Sequence, residues 1–126
     1  MCLIPKESAK IADKDIVVYK LLVKCLNGIY YSPWKNAPYK IGKLYTANIR
    51  YREHILEECN CLISQTVIEE GLHAFINYST AILTSAMVPV SGLSIVKGVI
   101  PKGAMYVLGI GNEIVSTQLK LIEECH

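Results

Sequence analysis

Residues 71 to 96 of this 126-residue chain contain no Asp, Glu, Lys or Arg. An uncharged run of that length is enough to cross a bilayer as a helix, so its punctuation decides what kind of chain this is. Asn77, Ser79, Thr80, Thr84, Ser85, Pro89, Ser91, Gly92 and Ser94 interrupt it. The run therefore reads as a helix and a strand of a buried core, and no membrane partner is expected. Glu69-Glu70-Gly71 is a turn that leads into a short strand, Leu72 to Phe75, carrying His73. Asn77 stands where a helix over Tyr78 to Met87 needs its N-cap, and Pro89 closes that helix. Leu93 to Ile100 follows as a strand.

The rest of the chain is punctuated in the same way. Ile16 to Val23 is a β-branched run with the composition of a buried strand. Asn27-Gly28 between apolar runs is a hairpin turn. Lys43 to Ile49 and Cys61 to Ile68 read as strands, and apolar spacing in Arg50 to Glu58 predicts a short helix. Pro101-Lys102-Gly103 predicts a type I turn with Pro at its second position. Ala104 to Leu108 and Ile114 to Ile122 are the last two strands, joined by Gly109-Ile110-Gly111-Asn112. Strands outnumber helices and short turns join them. The expected fold is α+β: a mostly antiparallel sheet with one or two short helices, in a single domain over residues 15–126, preceded by a tail or edge segment, residues 1–14.

Apolar residues make up 52% of the chain, enough for a packed core. Charge is uneven. Residues 1 to 52 hold ten of the thirteen Lys and Arg and three of the eleven acids, giving +7; the remainder holds three and eight, giving −5. Such a dipolar chain suits an anionic ligand at one end or head-to-tail association with itself, or else carries only scattered, solvated surface charge; a homo-oligomer is expected. The five cysteines, Cys2, Cys25, Cys59, Cys61 and Cys125, are odd in number and irregular in spacing. With no signal-peptide pattern at the start, they read as free thiols of a cytoplasmic protein.

The chemistry-bearing stretch is residues 30 to 45. Four tyrosines and the only tryptophan lie there among three lysines. Tyr31, Trp34, Tyr39 and Tyr45 offer faces for a planar ring, Lys43 offers a cation for phosphate, and Ser32 and Asn36 offer hydrogen bonds. That mixture suits a nucleotide-like small molecule. The structural alternative is a proline-pinned loop whose aromatics cap the core. No RNA-binding signature accompanies the lysines, so long nucleic acid is not expected. His73 is a candidate base or ligand anchor, or else a hydrogen-bonded structural residue; Asn77 and Lys102 join it as polar candidates. A Ser-His-Asp arrangement lacks its acid, since no Asp follows Asp15, and Glu113 is the available substitute. His54, Cys59 and Cys61 form a partial metal set, but Cys-x-Cys is poor zinc spacing, and no metal or cofactor is expected. Gly109-Ile110-Gly111 lacks the third glycine of a dinucleotide fingerprint.

Four stretches together carry a resemblance. They are Asp15 to Lys20; Tyr31-Ser32-Pro33-Trp34 with Tyr39-x-x-Gly42-x-x-Tyr45; Gly71-Leu72-His73-Ala74-Phe75; and Ile100 to Tyr106. The combination resembles a family of small uncharacterised proteins of gut bacteria and their phages, over about residues 10 to 124. The resemblance implies a phage-type protein, and with the small size, the incomplete catalytic set and the aromatic–lysine loop the expectation is a non-enzymatic binding protein of the host cytoplasm. It would sequester a nucleotide-derived immune signal or block a host defence protein. In that reading Tyr31 and Trp34 stack on the ligand, Lys43 or Lys102 meets phosphate, and His73 and Asn77 fix its orientation. The order of elements is also loosely similar to an ADP-ribosyltransferase, which implies an enzyme using His73 and Glu113 on NAD. Gly111-Asn112-Glu113 stands where that superfamily carries Gln/Glu-x-Glu. A third reading is a homo-oligomeric structural module.

Overall fold

Numbered in chain order, the strands are β1 (Lys10–Ile11), β2 (Ile16–Lys24), β3 (Tyr30–Tyr31), β4 (Pro38–Tyr39), β5 (Leu44–Thr46) and β6 (Arg50–Glu58). They continue as β7 (Cys61–Glu70), β8 (Leu72–Phe75), β9 (Leu93–Ile100), β10 (Met105–Leu108), β11 (Glu113–Ser116) and β12 (Gln118–Cys125). One α-helix, α1 (Tyr78–Met87), connects β8 to β9. The computed structural model describes residues 3–33, 37–58 and 61–125, without the side chains of 54, 56–58 and 61–63. Among the described residues no helix is long and apolar enough to cross a membrane.

The two β-branched runs find each other. β9 pairs with β2 along its length, from Ile16↔Ile100 to Val23↔Leu93, and β8 joins the other side of β2 at Tyr19↔Phe75. Every pairing is antiparallel, and the main order is β1-β10-β11-β8-β2-β9-β12-β5. β11 and β12 are one run of chain bent at Thr117, so this order closes on itself through the backbone. The bend is held from both sides. Thr117 N–H donates to the Met105 carbonyl at 2.9 Å, and the Thr117 carbonyl accepts from Ala47 N–H at 2.9 Å. The result is a small barrel that is nearly all-β, with α1 laid against its outside.

Alternation along the strands sorts side chains into three layers. Val18 and Leu22 of β2, Leu72 and Ala74 of β8, Val96 and Ile100 of β9, Ile114, Leu119 and Leu121 share one core, the barrel interior. On the outer face Leu21 and Phe75 are covered by Ala81 of α1. A second outer cluster joins Val107 and Val115 to Leu3 and Ile68. Gly71 makes the passage from β7 to β8 at φ +141°, and a side chain there would run into Val115; this close approach requires glycine.

Several expectations are corrected. Arg50 to Glu58 is a strand, not a helix. It pairs with β7 from Arg50↔Glu70 to Glu58↔Cys61, and this cross-strand ladder overrides the helical spacing of its apolar residues. Among the described residues β6 and β7 form a two-stranded sheet of their own that pairs with no other strand. The predicted strand Lys43 to Ile49 shortens to β5. Ile114 to Ile122 divides at the Thr117 bend. In the Pro101 turn the closing bond runs from Ala104 N–H to the Pro101 carbonyl at 3.1 Å, so Pro is first rather than second. The Asp15 carboxylate accepts the neighbouring Lys102 N–H at 2.9 Å and helps set that turn. Asn77 precedes α1 in extended conformation, but its side chain makes no capping hydrogen bond.

Candidate functional site

The aromatic–lysine stretch divides into two parts with different fates. Its first part follows the Asn27-Gly28 reversal, where both residues have positive φ, +73° and +70°. That geometry matches the twist of flanking strands, and it returns Tyr30 and Tyr31 against Lys24 and Val23. Tyr30 turns into the core. Tyr31 faces the other way, half-buried, over a groove of about 910 Å³ lined with Cys25, Leu26, Leu93 and Ser94. A second hollow of about 440 Å³ shares Cys25 and Tyr31 and adds Ser32, Pro33 and Val90. Lys24 borders the groove, its ammonium 3.0 Å from the Glu124 carboxylate. That hydrogen bond and the Glu124 charge raise the Lys24 pKa, so the cation is held charged.

The second part folds inward. Tyr39 is buried in the barrel core and packs edge-on against Tyr45, centroids 4.9 Å apart. Burial raises the pKa of the Tyr39 phenol. The Tyr45 hydroxyl accepts Lys40 N–H at 2.6 Å, and Lys43 Nζ lies 5.3 Å from the Tyr45 ring centroid. Beneath Tyr39 is a residue that sequence reasoning passed over. Lys20 shares the inward face of β2 with Val18 and Leu22 and is only 7% exposed. Its ammonium lies 5.1 Å from the Tyr39 centroid and donates to the His73 carbonyl. So Lys20 connects His73, Tyr39, Tyr45 and Lys43 into one chain of contacts, but through the backbone of His73, not its imidazole.

The His73 ring points away from the barrel interior. Its strand neighbours Leu72 and Ala74 face inward, so alternation places His73 with Phe75 on the outer face. Both ring nitrogens are shut away from solvent. The register β8–β11 sets Val115 opposite His73 and Glu113 opposite Phe75, which makes His73 and Glu113 diagonal neighbours on one face, roughly 7–8 Å apart. Burial raises the half-buried Glu113 carboxyl above its ordinary value of 4.5. This pair stands far from the Tyr31 groove. Tyr31 lies at the Val23 level of β2 and Glu113 at the Tyr19 level, and those four residues span about 13 Å.

The remaining candidates scatter. Asn77 is exposed at the start of α1. Lys43 and Lys102 are exposed on turns that flank a third hollow of about 420 Å³, lined with Asp15, Gly42, Leu44, Pro101 and Lys120. Trp34 and Asn36 lie outside the described residues, as does Cys59 of the partial metal set. Of the expected binding residues, Tyr31 and Ser32 share the smaller hollow; Tyr39 belongs to the core, with Tyr45 packed against it; His73, Asn77, Lys43 and Lys102 lie elsewhere. Cys25, Leu26 and Ser94 were missed because only the β2–β9 register and the hairpin turn bring them together. Comparison with protein-family models, with curated proteins and with solved structures returns no match.

Proposed function

We propose that this protein binds a nucleotide-like small molecule without transforming it, in the groove beside Tyr31. The carrying observation is that Tyr31 lines two hollows that meet at it and Cys25, with Ser32 lining the smaller of them. Their volumes fall in the range of small-molecule sites, and their make-up, an apolar floor with a few convergent polar groups, is that of such sites. A planar base stacks on Tyr31 between Leu26 and Leu93, Ser32 and Ser94 meet its polar edge, and the Lys24 ammonium faces an anionic substituent. Taken with the resemblance to phage proteins, the use of such a groove is to sequester a nucleotide-derived immune signal of the host. Calorimetric titration with a panel of mononucleotides, cyclic nucleotides and cyclic dinucleotides tests the reading. Saturable binding that Tyr31→Ala weakens about tenfold or more supports it. Binding unchanged by that substitution, or none across the panel, overturns it and turns attention to a host defence protein as the partner.

A second reading has one observation in its favour: His73 and Glu113 share a face of the β8–β11 ladder. On an ADP-ribosyltransferase-like scaffold this pair would act on NAD. NAD consumption that Glu113→Gln abolishes would establish that reading. A chain that leaves NAD intact would dismiss it.

A further inference from the structure

Strands β6 and β7 stand out from the barrel as an arm. Nine residues of β6 extend about 30 Å, and among the described residues the arm is tied down only at its base. There Leu3 bridges Ile68, and Ile68 is buried against Val107 and Val115. Beyond the base most of the described side chains are exposed, Tyr51 by 47% and Ile55 by 65%, while Val67 is buried and Gln65 half-buried. An isolated two-stranded ribbon is marginal in water, because it has no third strand and no layer to cover an apolar face. Leu3 occupies the outer edge of β7 at the base, while the outer edge of β6 pairs with nothing among the described residues. A free edge of this length is a template for another strand.

The charge pattern of β6 says which strand. Its sequence, Arg50-Tyr51-Arg52-Glu53-His54-Ile55-Leu56-Glu57-Glu58, is basic at the start and acidic at the end. An antiparallel copy of itself reverses that order. A two-fold centred on His54 sets Arg50 directly opposite the partner's Glu58 and Arg52 diagonal to that same glutamate, all on one face. Cross-strand pairs of opposite charge favour antiparallel pairing, and like charges oppose it. A parallel copy in register would set like charges together. We propose that this protein self-associates as a two-fold dimer through the outer edge of β6, joining two arms into one four-stranded antiparallel sheet. The contact is isologous, so it closes at two copies.

Sedimentation and light scattering across a wide concentration range provide the test. The wild type is expected to shift from 14.0 kDa toward twice that mass, and to return toward monomer at high salt. Glu58→Lys, and separately Arg52→Glu, each weaken the dimer tenfold or more by setting like charges together, and mixing the two variants restores a heterodimer. Hydrogen exchange on the wild type gives a readout that needs no substitution: β6 amides gain protection as concentration rises. A wild type that stays monomeric throughout overturns the proposal. So do charge-reversed variants that dimerise as the wild type does, and β6 protection that is independent of concentration.

Discussion

Tyr31 and Tyr39 come from one aromatic–lysine stretch and sit one strand apart, yet they do different work. Tyr39 is 8% exposed, packed on Tyr45 with the Lys20 ammonium beneath it. Tyr31 is half-buried on the rim of a groove, with Lys24 along the same wall. Each tyrosine thus has a lysine of β2 nearby: Lys20 is enclosed within the barrel, and Lys24, on the same face of β2, lies at the strand's exposed end. The residue types are the same in both places. What differs is which side of the β3–β4 pairing each ring occupies, and a ring becomes available to a ligand only on the open side.

Four substitutions sharpen or break this contrast. The largest effect is expected at Tyr39→Ala, which empties a core position and should cost about 3–5 kcal/mol, read as a lowered denaturation midpoint. Lys20→Ala follows, at about 2–4 kcal/mol, because it removes buried methylenes and takes a donor from the His73 carbonyl. A midpoint unmoved by either substitution would mean that the inner tyrosine–lysine pair is not part of the core. At the outer pair the expectation reverses. Tyr31→Ala should change stability by less than about 1 kcal/mol while weakening ligand binding about tenfold. Lys24→Ala should lower the midpoint only slightly and weaken anionic ligands more than neutral ones, since the Lys24 side chain is half exposed although the Glu124 carboxylate it meets is largely shielded.

The smallest effect belongs to Glu113, whose burial favours the protonated form. A carboxyl with a raised folded-state pKa contributes stability below its ordinary value of 4.5 and loses it as pH climbs through the folded value. Glu113→Gln should therefore raise the melting temperature at neutral pH, with the gain closing as pH falls below that ordinary value. A gain that persists in acid would place its origin in packing rather than in proton linkage.

Much of the fold is readable along the chain because local and tertiary preferences agree there. The β-branched run at Ile16 and the uncharged strand from Leu93 pair as their composition demands. α1 occupies Tyr78–Met87, as its flanking Asn77 and Pro89 imply. β6 reads as a helix because Tyr51, Ile55 and Leu56 fall near helical spacing, while the partners that hold it extended lie on β7, which the sequence does show as a strand. The candidate site was half legible. Aromatics among lysines mark the stretch, but no local pattern tells an inward tyrosine from an outward one. Lys20 was invisible for a related reason: a lone lysine in a β-branched run reads as a solvated position until the Thr117 bend closes the sheet around it. His73 drew notice as the histidine of a short strand, and alternation with Leu72 and Ala74 turned its ring away from both tyrosines.

The central claim is that the open side of this contrast, the Tyr31 groove, holds a small molecule. Native mass spectrometry tests it most directly, on wild type and Tyr31→Ala purified side by side from cells with active nucleotide-signalling defence. The account predicts a wild type carrying extra mass that is released intact on denaturation, and a Tyr31→Ala protein that is folded and empty. Two empty proteins, or two that retain the same molecule equally, would contradict it.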